Sequence, residues 1–202
     1  MSKTLPNSIS FSESSCYTIF LLMFTPVFYC ITVAATSNRT LFHTLLFLTG
    51  FISFTFLEYI AHRFWMHGKE NKHPGSSLER HMDHHRHPTE LKITTGLRTV
   101  LLSVDLLVVF FSFAFDNYFT FFAGLYNGFV TYCFMHYFLH QPWSGKVFPR
   151  LQVAHIHHHC KYPDRCFGVC TVWWDRVFNT SVPREVKIPP RVIAFYFGKS
   201  GH

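Results

Sequence analysis

The sequence predicts an all-α integral membrane protein, with four spanning helices in two hairpins and a helical cap on one face. Three observations predict it. The 202 residues are 49% apolar and only 14% charged, with 25 Phe, which is too greasy for a soluble domain of this size. Four long apolar runs punctuate the chain, and the basic residues fall almost wholly on one side of them. Ten of the fifteen His crowd into four groups at or just after the ends of those runs.

The runs come in order. Cys16–Ala35 is twenty residues without a charge, and Leu41–Leu57 is seventeen. Leu97–Phe115 is nineteen, broken by Arg98 and Asp105, and Phe119–Leu139 is twenty-one with one His near its end. At about 1.5 Å per helical residue, each crosses or nearly crosses a hydrocarbon core of roughly 30 Å. The shortest does so by tilting or snorkelling. As buried helices of a soluble protein they would leave too little polar chain to cover them. The predicted spans are about 16–35, 41–60, 97–115 and 119–139. Hairpins turn at "TSNRT" (36–40) and "DNY" (116–118), and residues 61–96 and 140–202 are polar segments on one side. The first run is too long, and Lys3 too thin a positive region, for a signal peptide, so a retained helix is expected.

Charge sets the orientation. Lys3 precedes the first run and Arg39 lies between the first and second; seven Lys and Arg lie from Arg63 to Arg98, and nine follow the fourth run. With the N-terminus inside, seventeen of eighteen are cytoplasmic, which is the positive-inside pattern. Both termini and the histidines then face the cytoplasm. All four Trp fall on that side, where interfacial belts are expected. The net charge of +7 reads as topology and contact with anionic lipid heads, and not as a nucleic-acid surface. Six Cys match no zinc spacing, and three of them lie on the reducing side.

The histidines come as two, three, two, three: His62 and His67; His81, His84 and His85; His136 and His140; His155, His158 and His159. Residues at i, i+3 and i+4 share a helix face, so each triad can point its rings to one side, as can His136 and His140. His62 and His67 would stand about 140° apart in a regular helix, so the second span is expected to end or distort near Arg63–Met66, with Gly68 as terminator. Ten imidazoles oversupply one zinc site and suit two metals, about five each. Imidazole alone does not select the metal. His43, His73, His87, His157 and His202 read as ordinary hydrogen-bonded residues. A transporter would place ionisable groups along its crossing path; here they crowd at one face, which disfavours a membrane metal-binding or transport protein.

The ordered set HRFWMH, HMDHH, HYFLH and HIHHH, with "FGVCTVWWDRVFNT" at 167–180, resembles the membrane di-metal fatty acid hydroxylase and sterol desaturase superfamily. The H-x3-H of the third group is most similar to the fatty acid 2-hydroxylases; carotenoid hydroxylases and sterol-type C–H oxidases are the alternatives. Asn179 stands where Gly is common. The resemblance implies that the ten His are metal ligands and that the metals are two irons, with zinc possible in purified protein. It implies O2 as co-substrate and a lipid acyl chain, of a fatty acid or ceramide-type lipid drawn from the bilayer, as substrate. Electrons are expected from a separate ferredoxin- or cytochrome-type donor with its reductase. Glu58, four residues before His62, and Asp175 in "WWDR" are candidates to orient ligating imidazoles. Asp83 reads as solvated. Asp105, inside an apolar run, is expected to make a helix-packing hydrogen bond or a distant contact to the site. No catalytic base or nucleophile is expected beyond the metal ligands.

Overall fold

A computed structural model describes residues 39–68, 76–91, 94–115, 119–183 and 186–198. The predicted span 16–35 and the turn 116–118 lie outside them. The described residues form helices and no strand. Helix α1 covers Thr40–Ile60 and runs on as a π turn over Ala61–Met66. Then come α2 (Ser77–Arg86), a 3-10 turn at Pro88–Glu90, α3 (Thr95–Ala114) and α4 (Phe119–Leu139). Four short helices complete the cap: α5 (Ser144–Val147), α6 (Pro149–Cys160), α7 (Trp173–Val177) and α8 (Pro190–Tyr196).

Local chemistry starts these helices. Ser76 Oγ accepts the Glu79 amide at 3.2 Å ahead of α2, and Thr94 Oγ1 accepts the Leu97 amide at 3.2 Å ahead of α3. Each satisfies an orphan donor of the first turn. Pro149 and Pro190 occupy first-turn positions, where a missing N–H costs nothing.

Helix α4 packs between α1 and α3. Against α1 the two backbones nearly touch. A Cβ on Gly50 would strike the Phe121 carbonyl, and one on Gly124 would strike the Phe47 carbonyl. Small residues permit this approach, and van der Waals packing is the main force between helices in lipid. Gly124→Val should wedge them apart. We expect a loss of about 1–3 kcal/mol, the range for overpacking, seen as a lower melting temperature in detergent; an unchanged melt would contradict the close contact. Between α3 and α4, Asn127 Nδ2 donates to Asp105 Oδ2 at 2.6 Å, with Asp105 buried. Asp105 is thus a helix-packing residue.

The α1–π segment Thr40–Met66 and α3 are long and apolar enough to cross a membrane, and only 22% of each apolar window is buried. The core helix of a soluble protein would be mostly buried. Here Leu41, Leu45 and Ile52 on α1, and Leu107, Phe110 and Phe111 on α3, face outward. A bilayer is what covers such a belt, and the chain is a membrane protein. Of the tryptophans, Trp65 and Trp173 are exposed as an interfacial belt requires, but Trp143 is buried against Phe138. It caps the core of Val130, Phe134, Phe138 and Leu139 at the polar end of α4.

Candidate metal centre

The site is built where α1, α4 and the cap helices α2 and α6 meet. The expected distortion of the second span is the π turn. The His67 amide bonds to the His62 carbonyl at 3.2 Å, an i→i+5 link. Residues five apart are brought over one another by this winding, and the two rings stand 5.2 Å apart. His136 and His140 reach the same spacing, 5.3 Å, at the end of a regular helix.

Nine of the ten predicted rings form two groups, within each of which the ligating atoms lie no more than 4.8 Å from one another. The first holds His62, His67, His81, His85 and His158; the second holds His84, His136, His140 and His159. His155 adjoins the second, its Nε2 3.1 Å from His140 Nε2. The triads do not each serve one group. In both, the i and i+4 residues go together and the i+3 residue crosses: His81 and His85 to the first with His84 to the second, and His155 and His159 beside the second with His158 in the first. The groups meet where His85 and His159 stack, centroids 4.1 Å apart at 11°.

The ring nitrogens fit metal ions. Nε2 atoms face each other at 2.9 Å (His62 and His81; His81 and His85) and at 3.0 Å (His67 and His158; His84 and His136). Ligands at right angles around an ion with metal–nitrogen bonds of about 2.1 Å stand about 3.0 Å apart. His62 donates its Nδ1–H to the Phe167 carbonyl at 2.5 Å, and His158 donates its own to the Arg165 carbonyl at 2.7 Å. Each neutral ring has one N–H, so both Nε2 atoms are bare lone pairs aimed at the first group. Bare nitrogens so placed repel unless a proton or cation lies between them. Nδ1 of His140 and His155 and both nitrogens of His159 are buried with no hydrogen-bond partner.

Burial, helped by neighbouring histidines, holds the rings neutral, the form that ligates. His85 is lowered to about 3, and His67 and His84 to about 4, chiefly by desolvation. Burial likewise takes His140 to about 2. The sign of the pH dependence follows. Unfolded histidines take up protons below about 6.5 while these remain neutral when folded, so stability is full above that pH and declines as pH falls. The loss grows as each of these buried rings, His85 and His140 among them, is protonated in the unfolded chain but not in the folded one. The metal-free protein should therefore melt at a clearly lower temperature at pH 5.5 than at 7.5; equal melts would contradict the burial.

The two carboxylates touch no ring. Glu58 Oε1 accepts the amides of Val169 at 2.6 Å and Cys170 at 3.3 Å, and pairs with neither His62 nor Arg63, whose guanidinium bonds Tyr59 instead. Asp175 accepts the amides of Phe167 at 2.8 Å and Gly168 at 2.9 Å and the Thr180 hydroxyl at 2.7 Å. Burial raises its carboxyl, and these donors oppose the rise. Together they clamp the 167–170 loop, whose Phe167 carbonyl orients His62. Asn179 adopts φ 55°, the left-handed region that Asn tolerates better than most side chains.

Tyr196 was not singled out by spacing. It is fully buried, stacks on His140 at 4.8 Å and 19°, and donates to the Leu139 carbonyl at 3.1 Å. So α8 lies over the second group; the aromatic "FYF" was its only sequence signal. The remaining histidines stay out of the groups. His157 donates to the Val186 carbonyl, His87 meets an exposed Asp83 at 3.3 Å, and His43 contacts Thr120 at the other end of α1. His73 and His202 lie outside the described residues.

Fold and site together define a helical membrane protein with two adjoining histidine groups, nine rings in all, compatible with a metal site. The sequence model described as fatty acid hydroxylase matches residues 47–180, and the chain belongs to that family. Among its relatives, fatty acid 2-hydroxylase of Mus musculus is 34% identical over 154 residues, covering 69% of this chain and 40% of that protein. A dihydroceramide fatty acyl 2-hydroxylase of Arabidopsis thaliana is 33% identical, covering 65% of this chain and 58% of that protein. The ceramide very long chain fatty acid hydroxylase of Saccharomyces cerevisiae is 30% identical, covering 76% and 42%. The chain thus matches about 40–58% of the length of these relatives. The solved full-length Scs7p, in which only the hydroxylase domain is visible, is 26% identical at a TM-score of 0.48, covering 86% of this chain and 69% of that one.

Proposed function

We propose that this protein is an O2-dependent di-iron hydroxylase of a lipid acyl chain, acting at the carbon next to the acyl carbonyl. The observation that carries the reading is the pair of adjoining nitrogen groups, assembled where apolar helices end. The names of the relatives supply the substrate class and the position of attack. All ten histidines are assigned as ligands: His62, His67, His81, His85 and His158 for one metal, and His84, His136, His140, His155 and His159 for the other. Two irons held there would supply the O2 chemistry that breaking an alkyl C–H bond demands.

The protein's own share is positioning. The clamped 167–170 loop sets the His62 tautomer through the Phe167 carbonyl. The Arg165 carbonyl does the same for His158. Tyr196 seals the second group from above, and the core of Phe134, Phe138 and Trp143 keeps water from below. Four crossings with both termini and the centre in the cytoplasm place the groups where an acyl chain can enter sideways from the bilayer. Overall, R–CH2–R′, O2, two electrons and two protons give R–CHOH–R′ and water, the electrons coming from a separate ferredoxin- or cytochrome-type donor and its reductase.

Lipid mass spectrometry on cells with and without the intact gene, under ¹⁸O2, tests this. Acyl lipids should gain one labelled oxygen only with the gene. Oxygen gained by a carotenoid or sterol instead would overturn the substrate. No oxygenated lipid, with a competent donor present, would overturn the oxygenase.

A further inference from the structure

Tyr59 is fully buried at the end of α1, just before the π turn. Its ring stacks on Phe178 at 5.2 Å and 15° and meets Phe167 edge-on at 6.0 Å. Its hydroxyl lies 2.9 Å from Arg63 Nη1 and 3.0 Å from Thr180 Oγ1. Counting protons fixes the direction of each bond. A guanidinium only donates, so the Tyr59 oxygen accepts from Arg63. The Thr180 hydroxyl has one proton and gives it to Asp175 Oδ1 at 2.7 Å. The proton between Tyr59 and Thr180 is therefore the phenolic one. A second path reaches the same carboxylate oxygen. His62 Nδ1–H donates to the Phe167 carbonyl, and the Phe167 amide donates to Asp175 Oδ1 at 2.8 Å. Two paths thus leave neighbouring residues of the π turn, His62 and Arg63, and converge on Asp175.

We infer that Tyr59 is a positioning residue for His62, acting through Thr180 and Asp175 on the Phe167 carbonyl. The inference rests on the reading of the nitrogen groups as metal sites. Because both paths start from one turn, the circuit fixes where the carbonyl stands relative to the ring it orients. Opening the circuit at Tyr59 leaves Asp175 its two backbone amides but removes the donor that holds Thr180 against it. A buried polar network aligns its members fully only while every one is satisfied. The effect should be confined to one metal. The rings that meet Phe167 are those of His62, His67 and His158, all in the first group.

The test uses the full chain in detergent, loaded with zinc alone, and follows release of each ion to a chelator. Tyr59→Phe keeps the ring and removes the hydroxyl. It should speed release from the first group about tenfold, the low end for losing a partner behind a ligand, and leave the second group at the parental rate. Thr180→Val should do the same, and Thr180→Ser, which keeps the hydroxyl, should release as the parent does. Both act through one path, so Tyr59→Phe/Thr180→Val should be no faster than the faster single variant. Repeating the measurement with His84→Ala or His158→Ala assigns each rate to its group, since each change leaves the other group whole. The proposal falls if first-group release is unchanged, if both ions leave faster alike, as a general loosening would give, or if the single effects multiply in the double variant. Should Tyr59→Phe not fold, Thr180→Val against Thr180→Ser decides the same point. A parent that binds no zinc sinks the metal reading itself. A parent that holds two ions, with Tyr59→Phe releasing both at parental rates, sinks the positioning role alone.

Discussion

Changing His84 to Ala, or His158 to Ala, should abolish product formation, each by emptying a different nitrogen group. His158 is fully buried, its Nε2 3.0 Å from His67 in the first group. His84 belongs to the second, 3.0 Å from His136. Losing a partner behind a ligand typically costs 10–100-fold in metal affinity or activity, so losing the ligand should cost about 100-fold or more. Metal analysis should show each variant falling toward one bound ion. His157→Ala is the internal control. It neighbours His158, but its ring bonds the Val186 carbonyl and should leave metal and product intact. A His158 variant that kept both ions and full turnover would sink the assignment of that ring.

Glu58→Ala should cost nearly as much, by a different route. The buried amide of Val169 and the part-buried amide of Cys170 lose their acceptor, and each orphaned group costs about 1–3 kcal/mol. The sum, about 2–6 kcal/mol, corresponds to a fall of roughly 4–24 °C in melting temperature for a chain of this size. Because the loop carries the Phe167 carbonyl that orients His62, metal affinity should fall as well. Glu58→Gln keeps one acceptor oxygen and should be milder in both respects. A melt lowered with metal retained would mean that the loop stiffens the fold without aligning the ring.

That nine of the ten histidines come together was legible, because helical geometry converts i, i+3 and i+4 into neighbouring positions on one side of a helix. The misfit of H-x4-H was legible for the same reason, and the π turn answers it. The crossing of the triads between the groups was not, since it depends on how α2 and α6 face each other. Glu58 and Asp175 could be picked out as important acids near the motifs, but spacing pointed to rings where the structure has backbone amides. Those amides belong to an irregular loop that no periodicity announces. Asn127 was missed because a single amide in an apolar run carries no pattern, although Asp105 signalled that some partner was needed. Tyr196 lay too far along the chain for any local rule to tie it to His140.

The π turn has a consequence for how this centre tolerates change. A π turn amounts to one residue inserted into an α-helix, with the surplus taken up within a single turn. Deleting one residue among 63–66 would turn H-x4-H into H-x3-H, the spacing that His136 and His140 already use on regular helix. The two pairs are two solutions to one geometric problem. A chain shortened by that codon could present both rings again with an ordinary helix beneath them, whereas the same deletion between His136 and His140 would leave H-x2-H, with no surplus residue to absorb it.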